Sequence, residues 1–229
     1  MNRNDIEIMA PAGSYEALRA AIQGGADSVY FGAEDLNMRA ASSINFTIAD
    51  LREIASICRE NNVKSYLTVN VVVFDNEIEQ MHRIIDSAVE SGISAVIASD
   101  LSVINYAFRA GIEVHLSTQL NITNTEALKF YSKWADVAVL ARELNLSQVK
   151  QISERIAAEN ILGPGGKPVR LEMFVHGALC MATSGKCYLS LHENNKSANR
   201  GKCYQTCRKA YIVTEKESGY ELEIDNEYI

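Results

Sequence analysis

Short apolar runs rich in β-branched residues recur along the chain at 6–10, 28–31, 65–69, 95–98, 113–116, 137–141 and 171–175, and each reads as a strand. Between them lie segments with helical spacing and a polar start: Ser14 before Tyr15-Glu-Ala-Leu, Thr47 before Ile48-Ala-Asp-Leu, and Ser147 before Gln148-Val-Lys-Gln-Ile. Several helical segments close on glycine and a small or apolar lead-in, at Gly24-Gly25-Ala26, Gly92-Ile93 and Gly111-Ile112, as left-handed helix caps require. The pattern is strand then helix, seven times.

Parallel strands buried on both faces and joined by crossover helices form either an open doubly wound sheet or a closed eight-stranded barrel. The doubly wound alternative calls for Gly-x-Gly-x-x-Gly after the first strand, and Ala10-Pro11-Ala12-Gly13-Ser14 lacks it. The expected fold is therefore α/β, a parallel (β/α)8 TIM-like barrel in truncated form. About seven βα units fill residues 1–178, and a cysteine-rich insertion after strand seven fills 179–229. Residues 221–229 offer no convincing eighth strand, so the last strand and the C-terminal part are expected to lie outside this chain.

With 229 residues, 47% of them hydrophobic, the chain can bury one large core. A net charge of −7 gives no global electrostatic reason to bind a phosphate backbone, and no DNA partner is expected, so any nucleic-acid contact must come from a local patch. The N-terminus lacks the apolar stretch of a signal peptide and no run of eighteen apolar residues occurs, which predicts a cytoplasmic protein without a membrane partner. Thiols in a reducing compartment are better read as metal-binding or catalytic than as structural disulfides.

Functional residues of a β/α barrel sit where strands end and loops begin. Polar residues there include Asn70, Ser99 and Asp100, then Ser117, Thr118 and Gln119, the pair Arg142 and Glu143, and His176. Ser99, Asp100, Ser117 and Thr118 serve equally well as helix caps. Arg142 has no capping role at a helix start, so the Arg142-Glu143 pair is expected to line the pocket.

Four of the five cysteines fall in Cys180-x6-Cys187-x15-Cys203-x3-Cys207, and Cys58 stands apart at an apolar helical position as a core thiol. The four lie among Gly, Ser, Lys, Asn and Arg, where packing does not explain them, and a metal does. Zinc and iron-sulfur clusters both accept four thiolates; the absence of a close Cys-x2-Cys knuckle favours a larger cluster, with zinc as the alternative. Six basic residues (Lys186, Lys196, Arg200, Lys202, Arg208, Lys209) and one acid, Glu193, lie in the same stretch. These cations either offset thiolate charge or meet phosphates, with Tyr188 and Tyr204 available to stack on bases.

The run Glu172-Met-Phe-Val-His-Gly-Ala-Leu-Cys180-Met-Ala-Thr-Ser-Gly-Lys-Cys187-Tyr-Leu-Ser resembles the signature of the collagenase-like peptidase family U32. It is joined by Val29-Tyr-Phe-Gly, His115-Leu-Ser-Thr-Gln119, Ala141-Arg-Glu-Leu and Arg200-Gly-Lys-Cys203, so the resemblance covers essentially the whole chain. It implies a 4Fe-4S cluster on Cys180, Cys187, Cys203 and Cys207, and oxygen-independent hydroxylation with prephenate as a possible co-substrate, here most like the branch that modifies tRNA wobble uridine. Glu172 and His176 match the signature too. On an alternating strand Glu172, Phe174 and His176 share one face, which makes Glu172, His176, Arg142 and Glu143 the expected catalytic set, with Asn70, His115 and Gln119 lining the substrate pocket.

The family label offers a peptidase as the alternative. The chain has no Gly-x-Ser-x-Gly turn, and His192-Glu193 is followed by Asn-Asn-Lys rather than by the second histidine of a zinc protease. A cysteine nucleophile with His176 as base would leave three grouped thiols unexplained. A non-catalytic scaffold, stapled by metal, is the third alternative.

Overall fold

Seven strands follow one another in both sequence and space: β1 (Met9–Pro11), β2 (Ser28–Gly32), β3 (Lys64–Val69), β4 (Ala95–Ala98), β5 (Glu113–Leu116), β6 (Val137–Val139) and β7 (Arg170–Glu172), all parallel in the order β1-β2-β3-β4-β5-β6-β7. The computed structural model describes residues 5–40, 46–177 and 179–224. Helices α1 (Tyr15–Gln23), α2 (Leu51–Glu60), α3 (Ile78–Ser91), α4 (Leu101–Ala110), α5 (Thr125–Tyr131) and α6 (Leu146–Ala158) return the chain between strands. The result is a curled half-barrel of a TIM-like kind, with β1 and β7 at the ends of the sheet order.

Strand alternation divides the side chains between two layers. Val29, Phe31, Leu67, Val69, Val96, Val114 and Leu116 turn outward and pack under the helices on Leu18, Ile54, Ile84, Ile85, Ile104 and Leu128 in the main core. The inner face carries a smaller apolar cluster of Tyr66, Ala95 and Ile97 with Met9 and Tyr30. It also carries polar residues in the same register, because Ile97 pairs with His115, Ala95 with Glu113, and Val137 with Arg170. No described helix is long and apolar enough to cross a membrane.

Capping follows the local sequence with two shifts. Ser14 caps α1 as expected by accepting the Ala17 N–H at 3.2 Å. The start of α6 belongs to Asn145 rather than Ser147, since Asn145 and Gln148 form a reciprocal capping box. Gly92 and Gly111 take φ of 78°, whereas at the end of α1 Gly24 stays right-handed and Gly25 takes the positive angle.

β2 and β3 each run one residue longer than expected, and three strands differ by more. β1 is Met9–Pro11 rather than 6–10, β6 stops at Val139, and β7 is Arg170–Glu172 rather than 171–175. A ladder extends only as far as its partner strand runs, and β6, the one strand beside β7, ends at Val139, the register partner of Glu172, where β7 ends too. Phe174 and His176 therefore lie beyond the strand, and the shared face expected of them with Glu172 does not form. After β7 come α7 (Leu189–Asn194) and a separate antiparallel hairpin, β8 (Tyr211–Thr214) with β9 (Glu221–Ile224). Residues 225–229 of the expected tail lie outside the described residues, as does Ala178 in the signature run.

Candidate functional site

Polar side chains at the C-terminal ends of the strands brace one another. Asn70, buried after β3, accepts the Met38 N–H at 3.1 Å through Oδ1 and donates to Ser117 Oγ at 3.4 Å, while its carbonyl accepts the Ser99 hydroxyl at 2.8 Å. Ser117 in turn donates to Gln119 Oε1. Asp100 caps α4 through Ser102 N at 2.8 Å and accepts Val73 N at 3.0 Å with its other oxygen, so the capping alternative describes this residue. Asn121, which the strand-end pattern does not single out, holds a left-handed φ of 53° and donates to the Gln119 and Ser184 carbonyls at 2.9 and 2.7 Å. Its only local signal is that asparagine tolerates positive φ better than most residues.

The cysteine-rich segment lies across these loops as a cap, anchored at both sides. On the β5–β6 side, the Arg142 guanidinium donates to Ser184 Oγ and to the Ala182 carbonyl at 3.4 Å, and Gly185 passes against Gln119 with a φ of 70°. On the β2–β3 side, Arg200 forks onto both oxygens of Glu77, with one contact at 2.7 Å. It also donates to the Val72 carbonyl at 2.7 Å and sits 4.0 Å over the Phe74 ring. The ion pair holds the Glu77 carboxyl below its usual range. Gly201 follows at φ 76°, so close to the Asn37 carbonyl that a Cβ would clash with it. Arg142 is thus engaged in holding the cap, with its Nε buried and unpartnered, whereas Glu143 is exposed. His176 is also exposed, in the turn after β7.

Within the cap Cys180 is exposed, Cys187, Cys203 and Cys207 are half-buried, and none is in a disulfide. Burial raises the Cys207 thiol pKa, and the neighbouring thiols of Cys180, Cys203 and Cys187 raise it further against the pull of Arg208. The sulfurs of Cys180, Cys187 and Cys203 therefore each stand within electrostatic reach of Cys207. They do not form a single-ion cage: among the described residues, no three His, Cys, Asp or Glu groups meet at the distances that hold one metal ion. A four-iron cluster would take each thiolate on a different iron and so does not require such a cage. The backbone carrying them is tied by Cys187 N to Asn199 Oδ1 at 3.2 Å and Tyr204 N to Ser190 Oγ at 3.1 Å. Of the six basic residues, Arg200 alone is paired with an acid among the described residues; Lys186, Lys196, Lys202, Arg208 and Lys209 are exposed, as are Tyr188 and Tyr204. Cys58 sits in the helix-packed core, where burial pushes its thiol up to about 11.

Beneath the mouth, the inner face holds a charged row. His115 is 2% exposed, with Nε2 at 2.8 Å from Glu113 Oε1 and Nδ1 at 3.8 Å from Glu172 Oε2. The second distance suits an ion pair and not a hydrogen bond, so Nδ1 keeps no hydrogen-bond partner. Burial opposes charge on the ring, yet Glu113 and Glu172 outweigh it and raise the His115 pKa. The hydrogen bond to His115 works against burial on Glu113 and, with Arg170, lowers that carboxyl to about 2. The residue paired with Glu172 is thus His115 rather than His176.

A parallel β/α half-barrel whose strand ends carry an anchored cap of four cysteines defines the class of this molecule. The chain belongs to peptidase family U32, whose model matches residues 13–229. It is 65% identical over 229 residues to "Collagenase" of Porphyromonas gingivalis, covering 100% of this chain and 55% of that one. It is 32% identical to "tRNA hydroxylation protein P1" of Bacillus subtilis, over 90% of this chain and 46% of the relative. It is 35% identical to a 23S rRNA 5-hydroxycytidine synthase of Escherichia coli, over 91% of this chain and 30% of the relative. The chain therefore spans about half the length, or less, of the curated relatives it matches. A solved structure, "the U32 Peptidase Mk0906", shares the fold with a TM-score of 0.55 at 13% identity, over 65% of this chain and 64% of that one.

Proposed function

We propose that the chain is the cluster-holding and substrate-receiving part of an iron-sulfur RNA-modifying enzyme, acting in hydroxylation of tRNA wobble uridine with a prephenate-derived donor. The observation that carries this reading is the cap: four free thiols, three of them within electrostatic reach of Cys207, in a segment anchored over the strand ends that also bears five exposed cations. Relatives named for tRNA and rRNA hydroxylation agree with it. Cys180, Cys187, Cys203 and Cys207 would hold a 4Fe-4S cluster, which supplies one-electron transfer when bound. Lys186, Lys196, Lys202, Arg208 and Lys209 would meet phosphates, and Tyr188 and Tyr204 would stack on bases. Arg142 would hold a carboxylate-bearing donor with its guanidinium fork where the donor displaces the contacts to Ser184 and Ala182.

Anaerobic purification of the full-length protein tests the cofactor: a brown protein with about four irons per chain is expected, and a colourless one with a single zinc overturns the reading in favour of a metal-stapled scaffold. For the substrate, tRNA from a strain lacking the gene should lose wobble-uridine hydroxylation; unchanged hydroxylation removes the tRNA role.

The 65% identity to a protein named Collagenase favours a second reading, a peptidase. That chemistry needs a base beside a nucleophile. Collagen cleavage by the purified full-length protein that disappears on Cys180→Ser alone would establish this reading over the first.

A further inference from the structure

The inner layer of a β/α barrel is ordinarily filled by bulky apolar side chains. Here its middle carries an imidazole between two carboxylates. Replacing such a buried charged group with apolar residues of like volume is often neutral or stabilising, so its presence points to a use beyond packing.

We infer that His115 is a positioning residue for Glu172, tying the carboxylate at the end of β7 to the Glu113–Arg170 pair on the inner face. The inference rests on the reading of Glu172 as a group at the reaction site. His115 is 2% exposed, whereas the Glu172 side chain is 24% exposed, so of the two only Glu172 is open to a substrate. The ring has little freedom. Its register neighbours are Ile97 on β4 and Val137 on β6, and the Tyr66 ring of β3 packs on it at 4.5 Å with a 56° tilt. Nε2 is committed to Glu113 at 2.8 Å, which leaves Nδ1 with no hydrogen-bond partner and Glu172 at 3.8 Å. A small rotation of Glu172 closes that gap into a charge-assisted hydrogen bond and sets the direction of the carboxylate.

The groups facing the ring are Glu113 on β5, Glu172 and Arg170 on β7, and Tyr66 on β3, with Glu7 behind the tyrosine at 2.5 Å from its hydroxyl. Glu113 and Glu172 bring two negative charges, and Arg170 brings one positive charge. A protonated ring balances the three, while a neutral ring leaves one negative charge uncompensated beside it. His115 is charged below its raised pKa and loses that charge as pH climbs through it, so Glu172 is held on the acidic side of the transition and released on the alkaline side.

The test uses the full-length protein. With 13C-labelled histidine, NMR titration should show the His115 midpoint falling in E172Q, and falling further in E113Q because Glu113 lies closer to the ring. A midpoint unmoved by E172Q overturns the pairing. In the RNA hydroxylation assay, H115F should lower kcat about tenfold or more, leave KM for RNA within about twofold, and remove the alkaline fall of the wild-type profile. H115Q, which keeps a hydrogen-bonding group, should recover part of kcat and guards against a folding defect in H115F. Unchanged kcat and an unchanged pH profile in a folded H115F protein overturn the role. Should the wild-type protein not hydroxylate RNA, the proposed function fails, while the histidine titration still decides the pairing.

Discussion

The five cysteines separate by environment. Cys58 is buried among Leu51, Ile54 and Ala55 on α2, and its thiol is pushed up to about 11 by that burial. The other four lie in the cap, with Cys180 exposed. Alkylation of the native, cluster-free protein should label Cys180 readily and spare Cys58 until denaturant is added, with peptide mass spectrometry as the readout. The His115–Glu113 pair carries a pH signature in stability as well. Glu113 is held to about 2 against an ordinary 4.5, so its contribution is present above 4.5 and fades as pH falls toward 2. His115 is raised above 6.5, so its contribution is present below 6.5 and disappears as pH rises through the folded value. Urea midpoints should therefore fall on the alkaline side in wild type, and that fall should flatten in H115F.

At the scale of elements, the cap is held by a few side chains at its two sides. Arg200→Ala removes a forked ion pair and a cation–π interaction, both partly solvated, and should weaken docking by about 1–2 kcal/mol. Limited proteolysis should then cut faster within 179–210 while the barrel helices stay resistant. Gly201→Ala should act in the same direction, because it meets both a left-handed backbone and the Asn37 carbonyl. Much of the element order was legible in the sequence, since short apolar runs rich in β-branched residues and the capping signals at Ser14 and Asp100 are local. The extent of β7 was not. Met173, Phe174 and Val175 are apolar enough to continue a strand, but a strand ends where its neighbour offers no further pairing, and β6 stops at Val139.

For the whole molecule, the net charge of −7 hides a cap with five exposed cations. If RNA docks there, reversing Lys196 and Lys202 together to Glu should weaken RNA binding at low salt by more than about tenfold and flatten the dependence of log K on log salt by about 0.7 for each phosphate no longer neutralised. Reversing Lys150 and Lys167, which are exposed and lie outside residues 179–229, should change little. Filter binding across a salt series distinguishes the two. Arg200 contributes nothing to such a surface while it pairs with Glu77, which a tally of charges along the chain does not reveal.

The local sequence determined the strand–helix alternation, the capping residues and the gathering of four cysteines in one stretch, because spacing, turn chemistry and composition act over a few residues. Only the tertiary structure decided that Arg142 and Arg200 anchor the cap, that His176 lies exposed, and that Glu172 answers to His115 two strands away. Those pairings depend on parallel register and on the curvature of the sheet, which bring together side chains that lie far apart along the chain.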